Sequence, residues 1–390
     1  MKILYSVDYY QPQLGYSEYF IPRQLQKLGH EVIIFTSNYY FPFPKYDETA
    51  GKLLGERQQK PGKSRKNGIT IIKQPMKYEV FTRAIFDGHE EIVKEFQPDL
   101  VMVNKIPGYN CIRFAQLKKK YGYKLLAYDA HLPSGFYAEG NILAKYFFYA
   151  AFQVLFARLL QQNVDTFIAV QEETEVIIRQ FYGIQKKIVH IPLGTDTDLF
   201  SYSASDRAAV RKKYKLSSKN IVVIYTGKII EEKGVSLLFE AANRLFPDHP
   251  QLRLLLVGAG SEEYIHLCHS KLQPEFSDRV IWTGFQKNEK LPALYSASDI
   301  GVWPLQESTA MNDAAACNLP FIANDEIGAR ARLANKNAFL YKKGNSKDLA
   351  KKIEKLILNP VERKAMGKRG RKLMVDKLSW KSVVDEYLKL

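Results

Sequence analysis

A chain of 390 residues with 46% hydrophobic residues and no low-complexity tract has room for two or three globular domains, which excludes a disordered or fibrous protein. The net charge of +16 is shared between the halves, since residues 1–190 carry 25 Lys/Arg against 18 Asp/Glu and the remainder 32 against 23. A shared excess argues against a nucleic-acid-binding tail and favours phosphorylated ligands or anionic lipid surfaces, with solubility alone as the alternative explanation of much of it. Three widely spaced cysteines without metal or paired spacing predict a reducing compartment.

The first residues predict a βαβ unit rather than a targeting segment. The first apolar run ends at Asp8, so we expect a strand and not a signal peptide. A loop with Gly15 follows, then a helix from Ser17, its expected N-cap, to Leu28, and a second strand at His30–Ser37. The loop lacks the G-x-G-x-x-G spacing of a dinucleotide site, which argues against NAD.

Residues 38–67 are aromatic and then rich in Lys, Arg, Gln and Gly, which predicts an exposed loop. The loop has two interpretations of about equal weight. It is either a basic lip for an acidic or membrane-bound acceptor or a solvated insertion without function. Four of its basic residues lie close together in the sequence, namely Lys60, Lys63, Arg65 and Lys66.

Regular βα alternation resumes after this loop and leads to a histidine. Predicted strands at 70–73, 98–104 and 123–128 alternate with helices at 86–95 and 112–121. His131 follows the last of these strands. Active-site residues collect past the carboxyl ends of strands in open α/β sheets, so His131 is a candidate, although a lone histidine is as often structural.

Residues 142–160 predict a helix that is apolar on nearly every face. Burial against the N-terminal sheet is the favoured interpretation. The alternative is an interfacial position, because the segment carries Lys145 and Arg158. It is too short to span a bilayer, and no other stretch approaches the ~20 apolar residues that spanning requires.

The remaining pattern predicts two doubly wound α/β domains in tandem. The first domain covers residues 1–193, and a second βα series fills 194–375. A terminal amphipathic helix is predicted within 376–390. The predicted strands of the later part are 165–170, 187–191, 221–226, 252–257, 280–283, 300–303 and 320–323. The predicted helices are 172–181, 206–214, 237–245, one from after Gly260 to about Leu272, 291–297, 311–317, 347–358 and 360–375.

The turn after the strand at 221–226 is the first candidate anion site. Gly227 ends the strand, and Lys228 and Lys233 lie between it and the next helix. A glycine and two cations at the carboxyl end of a parallel strand suit a phosphate-bearing ligand. Solvated loop charges are the plainer alternative.

A second candidate anion site follows the strand that ends at Trp303. Ser308 and Thr309 precede a helix of small residues, where hydroxyls and unpaired amides suit a phosphate and Asp313 could accept hydrogen bonds from ribose. Plain N-capping explains the two hydroxyl residues equally simply. Asp196 and Asp198 form a D-x-D, but they lie in the interdomain connection, so we expect no metal there.

Taken in this order, the motifs resemble the GT-B retaining glycosyltransferases of family 4, the glycosyl transferases group 1 type, over essentially the whole chain. The resemblance implies two Rossmann-like domains facing each other across a cleft, with the C-terminal helix crossing back to the first. The matching segments are Gly15-Tyr16, His131, Ile191–Phe200, Thr226–Gly234, Gly258–Gly260, Gly284-Phe285 and Ser379-Trp380.

The resemblance also implies roles for the candidate residues. The diphosphate is gripped by Lys228 and Lys233, the distal phosphate by Ser308 and Thr309, and ribose by Asp313. His131 contacts the donor sugar, with Glu307 as a second candidate. Donor-binding positions that complete the set are Gly15, Tyr16, Gly227, Gly258, Gly260 and Phe285.

The expected activity is the transfer of a sugar from a nucleotide-diphosphate sugar, used as co-substrate without cofactor or metal, to a saccharide or lipid-linked acceptor. We also expect the protein to be cytoplasmic and to contact the anionic inner face of the membrane. We expect no binding of nucleic acid. The family's E-x7-E pair is altered, because Asp313 replaces its second Glu and Glu307 lies two residues too close to it. This alteration keeps a non-catalytic glycan- or partner-binding subunit open as an alternative. A nucleotide-sugar epimerase also stays open, because that class shares the GT-B architecture and needs only a donor.

Overall fold

The computed structural model describes residues 1–48, 50–131, 142–328 and 330–390. These residues divide into two compact units. The first comprises Met1–Pro192 together with Val384–Leu390, and the second comprises Leu193–Val383.

The first unit is built on an eight-stranded sheet in the order β10-β9-β8-β7-β1-β2-β4-β3. All its strand pairs are parallel except β3 with β4. Its central strands are continuous apolar runs because helices cover both faces of a parallel sheet. The strands are β1 Lys2–Ser6, β2 Glu31–Ser37, β3 Gly62–Lys66, β4 Ile69–Gln74, β7 Leu100–Asn104, β8 Lys124–Asp129, β9 Thr166–Ala169 and β10 Ile188–His190, with a separate antiparallel hairpin of β5 Met76–Val80 and β6 Arg83–Phe86.

The helices of the first unit connect these strands in the right order for βαβ crossovers. A π-helical turn at Gln153–Ala157 joins two of them. The described helices are α1 Ser17–Lys27, α2 Gly51–Leu54, α3 His89–Phe96, α4 Tyr109–Tyr121, α5 Ile142–Phe152, α6 Arg158–Asn163 and α7 Glu172–Tyr182.

The second unit holds a fully parallel six-stranded sheet in the order β13-β12-β11-β14-β15-β16. Its strands are β11 Ile221–Thr226, β12 Leu252–Val257, β13 Val280–Trp282, β14 Ile300–Trp303, β15 Phe321–Asn324 and β16 Ala338–Tyr341. Its helices are α8 Ala204–Lys213, α9 Val235–Leu245, α10 Glu262–Ser270, α11 Leu291–Ala297, α12 Ala310–Ala316, α13 Ser346–Leu358 and α14 Pro360–Lys377, followed by the terminal α15 Trp380–Leu388.

Both sheets reverse their winding beside their first strand. In the first unit the chain proceeds from β1 to β2 on one side and later returns to add β7 on the other. In the second unit the same reversal separates β11 from β14. Ligands of open α/β sheets bind outside the carboxyl ends of the strands at such a point, so the residues after β1, β7, β11 and β14 mark the candidate sites.

Several predicted elements differ from the structure. Residues 38–67 are not a plain loop, since Lys63, Arg65 and Lys66 lie on β3, although that strand is fully exposed as expected. Charged side chains on an exposed edge strand resemble a loop in composition, which explains the error. The hairpin β5–β6 and strand β16 were missed, and Ser17 is the first helical residue rather than the N-cap. The predicted loop also includes Thr49, which lies outside the described residues.

The apolar segment after residue 142 is only partly buried. Tyr149, Phe152 and Leu160 pack in the core of the first unit. On the opposite side Phe147 is 77% and Val154 84% exposed, so the favoured interpretation of burial is wrong for this face. The expectation on length was also wrong, because Leu143–Asn163 is 21 residues long and apolar enough to cross a membrane by length and composition.

Candidate functional site

The carboxyl ends of β11 and β14 are tied together in the second unit. The indole nitrogen Nε1 of Trp303 donates a hydrogen bond to the Thr226 carbonyl oxygen at 2.9 Å. Beyond the strands, Lys233 Nζ donates to the Glu307 carbonyl oxygen at 3.1 Å. This hydrogen bond brings the candidate residues Lys233 and Glu307, which are 74 positions apart in the sequence, into contact.

The surroundings of Lys233 destabilise the charged form of its side chain. Partial burial, followed by repulsion from the Lys228 ammonium, lowers the pKa of Lys233 to about 8, and Arg332 adds further repulsion. The carboxylates of Glu307 and Glu232 offset part of this shift, so repulsion between the positive charges is only partly balanced within the protein. A bound phosphate would relieve this repulsion, which is the electrostatic character of an anion site.

Arg332 is a functional candidate that the sequence did not reveal. It lies in a 3-10 helix, Arg330–Leu333, and only 9% of its side chain is exposed. Its Nη1 donates to the Ser308 carbonyl oxygen at 2.8 Å and lies 3.6 Å from Glu307 Oε2. No motif links an isolated arginine to a loop more than 20 residues earlier, so only the fold could identify it. Arg332 fixes the loop that presents Ser308.

Helix α12, which follows Ser308, is short, and its N-cap residue Thr309 makes no side-chain capping hydrogen bond. Ser308 Oγ accepts a hydrogen bond from the Ala310 amide at 3.3 Å, and Thr309 is exposed. Helix α12 has seven residues, so its own dipole is modest and the nearby cations carry more of the positive potential. The phosphate roles of Ser308 and Thr309 stay predictions.

Asp313 lies one turn into α12 and has a partner within the second unit. Its Oδ1 accepts a short hydrogen bond from the Thr195 hydroxyl. Burial raises the pKa of Asp313 to about 7, because desolvation outweighs this hydrogen bond. The carboxyl group is thus partly protonated near neutral pH and can donate as well as accept. Ribose binding by Asp313 stays a prediction.

The three glycines at the strand ends allow two backbones to run against each other. A Cβ on Gly258 would lie 1.8 Å from the Gly227 carbonyl oxygen, and one on Gly260 would lie 1.9 Å from the Ile229 carbonyl oxygen. Gly227 and Gly258 also have positive φ angles of 145° and 152°. These residues have a packing reason independent of any ligand. Phe285, which follows Gly284, is exposed and available for stacking.

The remaining candidates, Gly15, Tyr16 and His131, lie in the first unit. Gly15 ends a 3-10 helix with φ 65°, and Tyr16 is the exposed N-cap residue of α1. His131 Nδ1 and backbone N both contact Asp129 Oδ1, at 2.7 and 2.8 Å. Burial alone would raise the pKa of Asp129, but charge interaction and hydrogen bonds with His131 hold it below its usual value. An ionised Asp129 fixes the Nδ1–H tautomer and leaves Nε2 for a ligand.

The D-x-D segment is a capping turn. Asp196 Oδ1 accepts hydrogen bonds from the amides of Asp198 and Leu199 at 3.1 and 3.0 Å. Within the ranges given above, no three His, Cys, Asp or Glu side chains are grouped so as to hold a metal ion.

The architecture places the chain in the GT-B class. It aligns over 100% of its length with sucrose-phosphate synthase from Thermosynechococcus elongatus, covering 98% of that chain at a TM-score of 0.71 and 18% identity. It also aligns over 100% of its length with Anabaena HepE, solved in complex with UDP, covering 99% of that chain at a TM-score of 0.70 and 17% identity. At these identities the likeness shows the fold alone.

Two family profiles match successive parts of the chain. Residues 21–199 match Glycosyltransferase Family 4, and residues 206–373 match Glycosyl transferases group 1. The chain belongs to this family of glycosyltransferases.

Individual relatives are more distant. A GDP-mannose-dependent alpha-(1-6)-phosphatidylinositol monomannoside mannosyltransferase of Mycolicibacterium smegmatis is 25% identical over 237 residues, which is 58% of this chain and 61% of the relative. Glycosyltransferase EpsD of Bacillus subtilis is 25% identical over 316 residues, 79% of each chain. The chain thus spans about three-fifths of the mycobacterial relative.

Proposed function

We propose that this protein transfers a sugar from a nucleotide-diphosphate donor to an acceptor hydroxyl, with retention at the anomeric carbon. The observation that carries the proposal is the cluster of Lys228, Lys233 and Arg332 at the switch point of the second sheet. Family membership supports the reaction class. The mycobacterial relative is named for GDP-mannose and HepE was solved with UDP, so the nucleotide base is not assigned.

The departing diphosphate gains negative charge as the glycosidic bond breaks, and positive groups fixed in advance lower the barrier most. We assign this role to Lys233 and Lys228. Arg332 acts indirectly, since it holds the Ser308 carbonyl and the Glu307 carboxylate and so shapes the loop that faces the phosphates. His131 would contact the donor sugar through Nε2.

A thermal-shift screen of UDP, GDP, ADP and dTDP and their sugars tests the proposal. A nucleotide at 100 times its dissociation constant should stabilise the protein by about 2.7 kcal/mol. Lys233→Ala should lose most of this shift and, once an acceptor is known, should cost about 2–4 kcal/mol of transition-state stabilisation. Lys219→Ala is the matched control, because Lys219 is an exposed lysine of the same unit. A panel without any stabilising nucleotide would refute the proposal.

We also propose that the acceptor is presented at an anionic membrane surface on the cytoplasmic side. The support is an apolar face formed by Leu143, Phe147, Val154 and Leu155, all more than 60% exposed. Phe81, at the tip of the β5–β6 hairpin, packs on Phe148 at 5.2 Å between ring centroids and extends this face. A large exposed apolar face beside basic residues is typical of interfacial binding.

A further inference from the structure

One oxygen of the carboxylate that holds His131 is buried without a hydrogen-bond partner. Asp129 is fully buried at the end of β8, and its Oδ1 takes both contacts from His131, at 2.7 Å from Nδ1 and 2.8 Å from the backbone nitrogen. No hydrogen-bond partner for Asp129 Oδ2 is found among the described residues. A buried carboxylate oxygen without a donor is costly, so a hydroxyl group close to Oδ2 is strongly favoured as its donor.

A hydroxyl group that lacks an acceptor lies in the same part of the core. Tyr182, the last residue of α7, is fully buried, and its hydroxyl has no hydrogen-bond partner in the described part of the chain. Burial raises the pKa of Tyr182 well above its usual value, and the neighbouring negative charge of Asp129 raises it further. The Tyr182 hydroxyl is therefore protonated, and it can donate to an oxygen that lacks a donor.

Tyr149 of α5 and Arg83 of β6 extend this cluster. The rings of Tyr149 and Tyr182 pack with 5.4 Å between their centroids. Arg83 is buried, and its Nη2 donates to the Tyr149 hydroxyl oxygen at 2.7 Å. Because Tyr149 accepts this hydrogen bond, its own hydroxyl proton can be directed towards Tyr182. A guanidinium, two phenols and a carboxylate thus occur in an order in which each hydroxyl can accept from one neighbour and donate to the next.

Helix α7 also contacts His131 through its first turn. Thr174 is fully buried, and its Oγ1 donates to the His131 carbonyl oxygen at 3.0 Å. The same helix therefore holds the backbone of His131 and carries the Tyr182 hydroxyl. A side chain supported by buried contacts of this kind keeps one orientation, which a group that must meet a substrate at a defined angle requires.

We propose that Tyr182 is a positioning residue for His131: its hydroxyl donates to Asp129 Oδ2, and Tyr149 and Arg83 hold that hydroxyl in place. The hydrogen bond keeps Asp129 ionised and in one orientation, so Asp129 keeps the proton of His131 on Nδ1 and leaves Nε2 bare. Tyr182 is buried and acts through Asp129, without contact to a substrate. The contact of Nε2 with the donor sugar rests on the proposed transferase function.

Nitrogen NMR of the full chain, labelled with 15N-histidine, tests this assignment. At about pH 8.5 an imidazole side chain is neutral, and the two ring nitrogens of a single tautomer have well-separated resonances. Among the seven histidines, the signals missing from His131→Gln are those of His131. We expect the Nδ1–H tautomer alone in the unchanged protein. Tyr182→Phe should move the two resonances towards each other, because the Nε2–H tautomer gains population once Asp129 Oδ2 has lost its donor.

Tyr123→Phe is the matched control for this measurement. Tyr123 is a buried tyrosine just before β8, at the opposite end of that strand from Asp129, and its hydroxyl donates to the Phe114 carbonyl oxygen at 2.5 Å. Its loss should leave the His131 resonances unchanged. The assignment would be overturned if Tyr182→Phe kept the single tautomer, or if Tyr123→Phe changed the resonances to the same extent.

Tyr149→Phe keeps the assignment testable if Tyr182→Phe does not fold. It removes the hydroxyl between Arg83 and Tyr182, so it should shift the His131 resonances in the same direction. An unchanged spectrum of this variant would then overturn the assignment.

A turnover measurement separates this role from the proposed function. Once the nucleotide screen has identified a sugar nucleotide, Tyr182→Phe should lower kcat severalfold. The dissociation constant of the nucleoside diphosphate should stay unchanged, because the diphosphate is assigned to Lys228 and Lys233 of the second unit. An unchanged kcat would overturn the positioning role. If no nucleotide stabilised the protein, the transferase proposal would fail, and the NMR comparison would still decide whether Tyr182 positions His131.

Discussion

At the scale of single residues, Lys233 is defined by its surroundings more than by its position in a motif. Its ammonium group is partly buried, faces the Lys228 charge and is held by one carbonyl oxygen. Such a lysine can lose its proton near physiological pH, which an exposed loop lysine does not. The affinity for an anion therefore becomes dependent on pH.

We predict that nucleoside-diphosphate affinity falls as the pH rises through about 8. The bound diphosphate favours charged Lys233, so its pKa is higher in the complex than in the free protein, and above the free value binding must take up a proton. The dissociation constant should then rise by up to about tenfold per pH unit, measured by calorimetry between about pH 7 and about pH 9.5. Lys233→Arg keeps its charge over this range and should show a flat profile. A flat profile in the unchanged protein would remove Lys233 from the anion site.

At the scale of elements, the second sheet shows how strand ends are fitted together. The loop after β12 runs directly against the loop after β11, with amide-to-carbonyl hydrogen bonds from Gly227 to Val257 and from Ile229 to Ala259. This close contact leaves no volume for a Cβ at Gly258. Gly284, after β13, also has positive φ but has open space around it.

We predict that Gly258→Ala prevents folding of the second unit or costs more than about 3 kcal/mol, because it combines a strained φ with a 1.8 Å contact to backbone. Gly284→Ala is the matched control, and its strained φ of 67° alone should cost about 1–2 kcal/mol. Thermal unfolding with and without nucleotide measures both. Equal costs for the two variants would contradict the argument from close packing.

At the scale of the whole molecule, the first unit carries an exposed apolar face. The composition and length of its segment had not decided between burial in the core and an interfacial position. Its residues recur along α5 and the π-turn, on the side that lies away from the buried Tyr149 and Phe152. Arg158 lies exposed on the same segment. Apolar side chains with a neighbouring cation fit an anionic bilayer surface.

We predict that Phe147→Ser combined with Leu155→Ser reduces binding to vesicles of phosphatidylcholine and phosphatidylglycerol by about tenfold or more, since two exposed side chains lose their apolar contact. Co-sedimentation measures the bound fraction. Val361→Ser is the control, because Val361 is 82% exposed in the second unit. The membrane proposal would be contradicted if the double variant and the unchanged protein had equal vesicle-bound fractions. It would also be contradicted if the bound fraction did not depend on the phosphatidylglycerol content.

Much of the architecture could be predicted from the sequence because buried parallel strands and amphipathic helices have local periodicities. The bounds of β12, α11 and β14 were predicted without error, and the order of the motifs indicated the family before any coordinates. Edge strands were less predictable. Strand β3 and the β5–β6 hairpin carry polar residues, and they are strands because their backbones pair with a neighbouring strand.

The sequence by itself determined the two α/β units, the family and the turn that carries Lys228 and Lys233, because these depend on short-range patterns. Tertiary structure alone decided that Arg332 reaches Ser308, that Asp8 Oδ2 is buried with no hydrogen-bond partner among the described residues, and that Phe147 points away from the core. Each of these facts depends on burial or on contacts between segments that are distant in the sequence. The spacing of neighbouring residues determines neither burial nor such contacts.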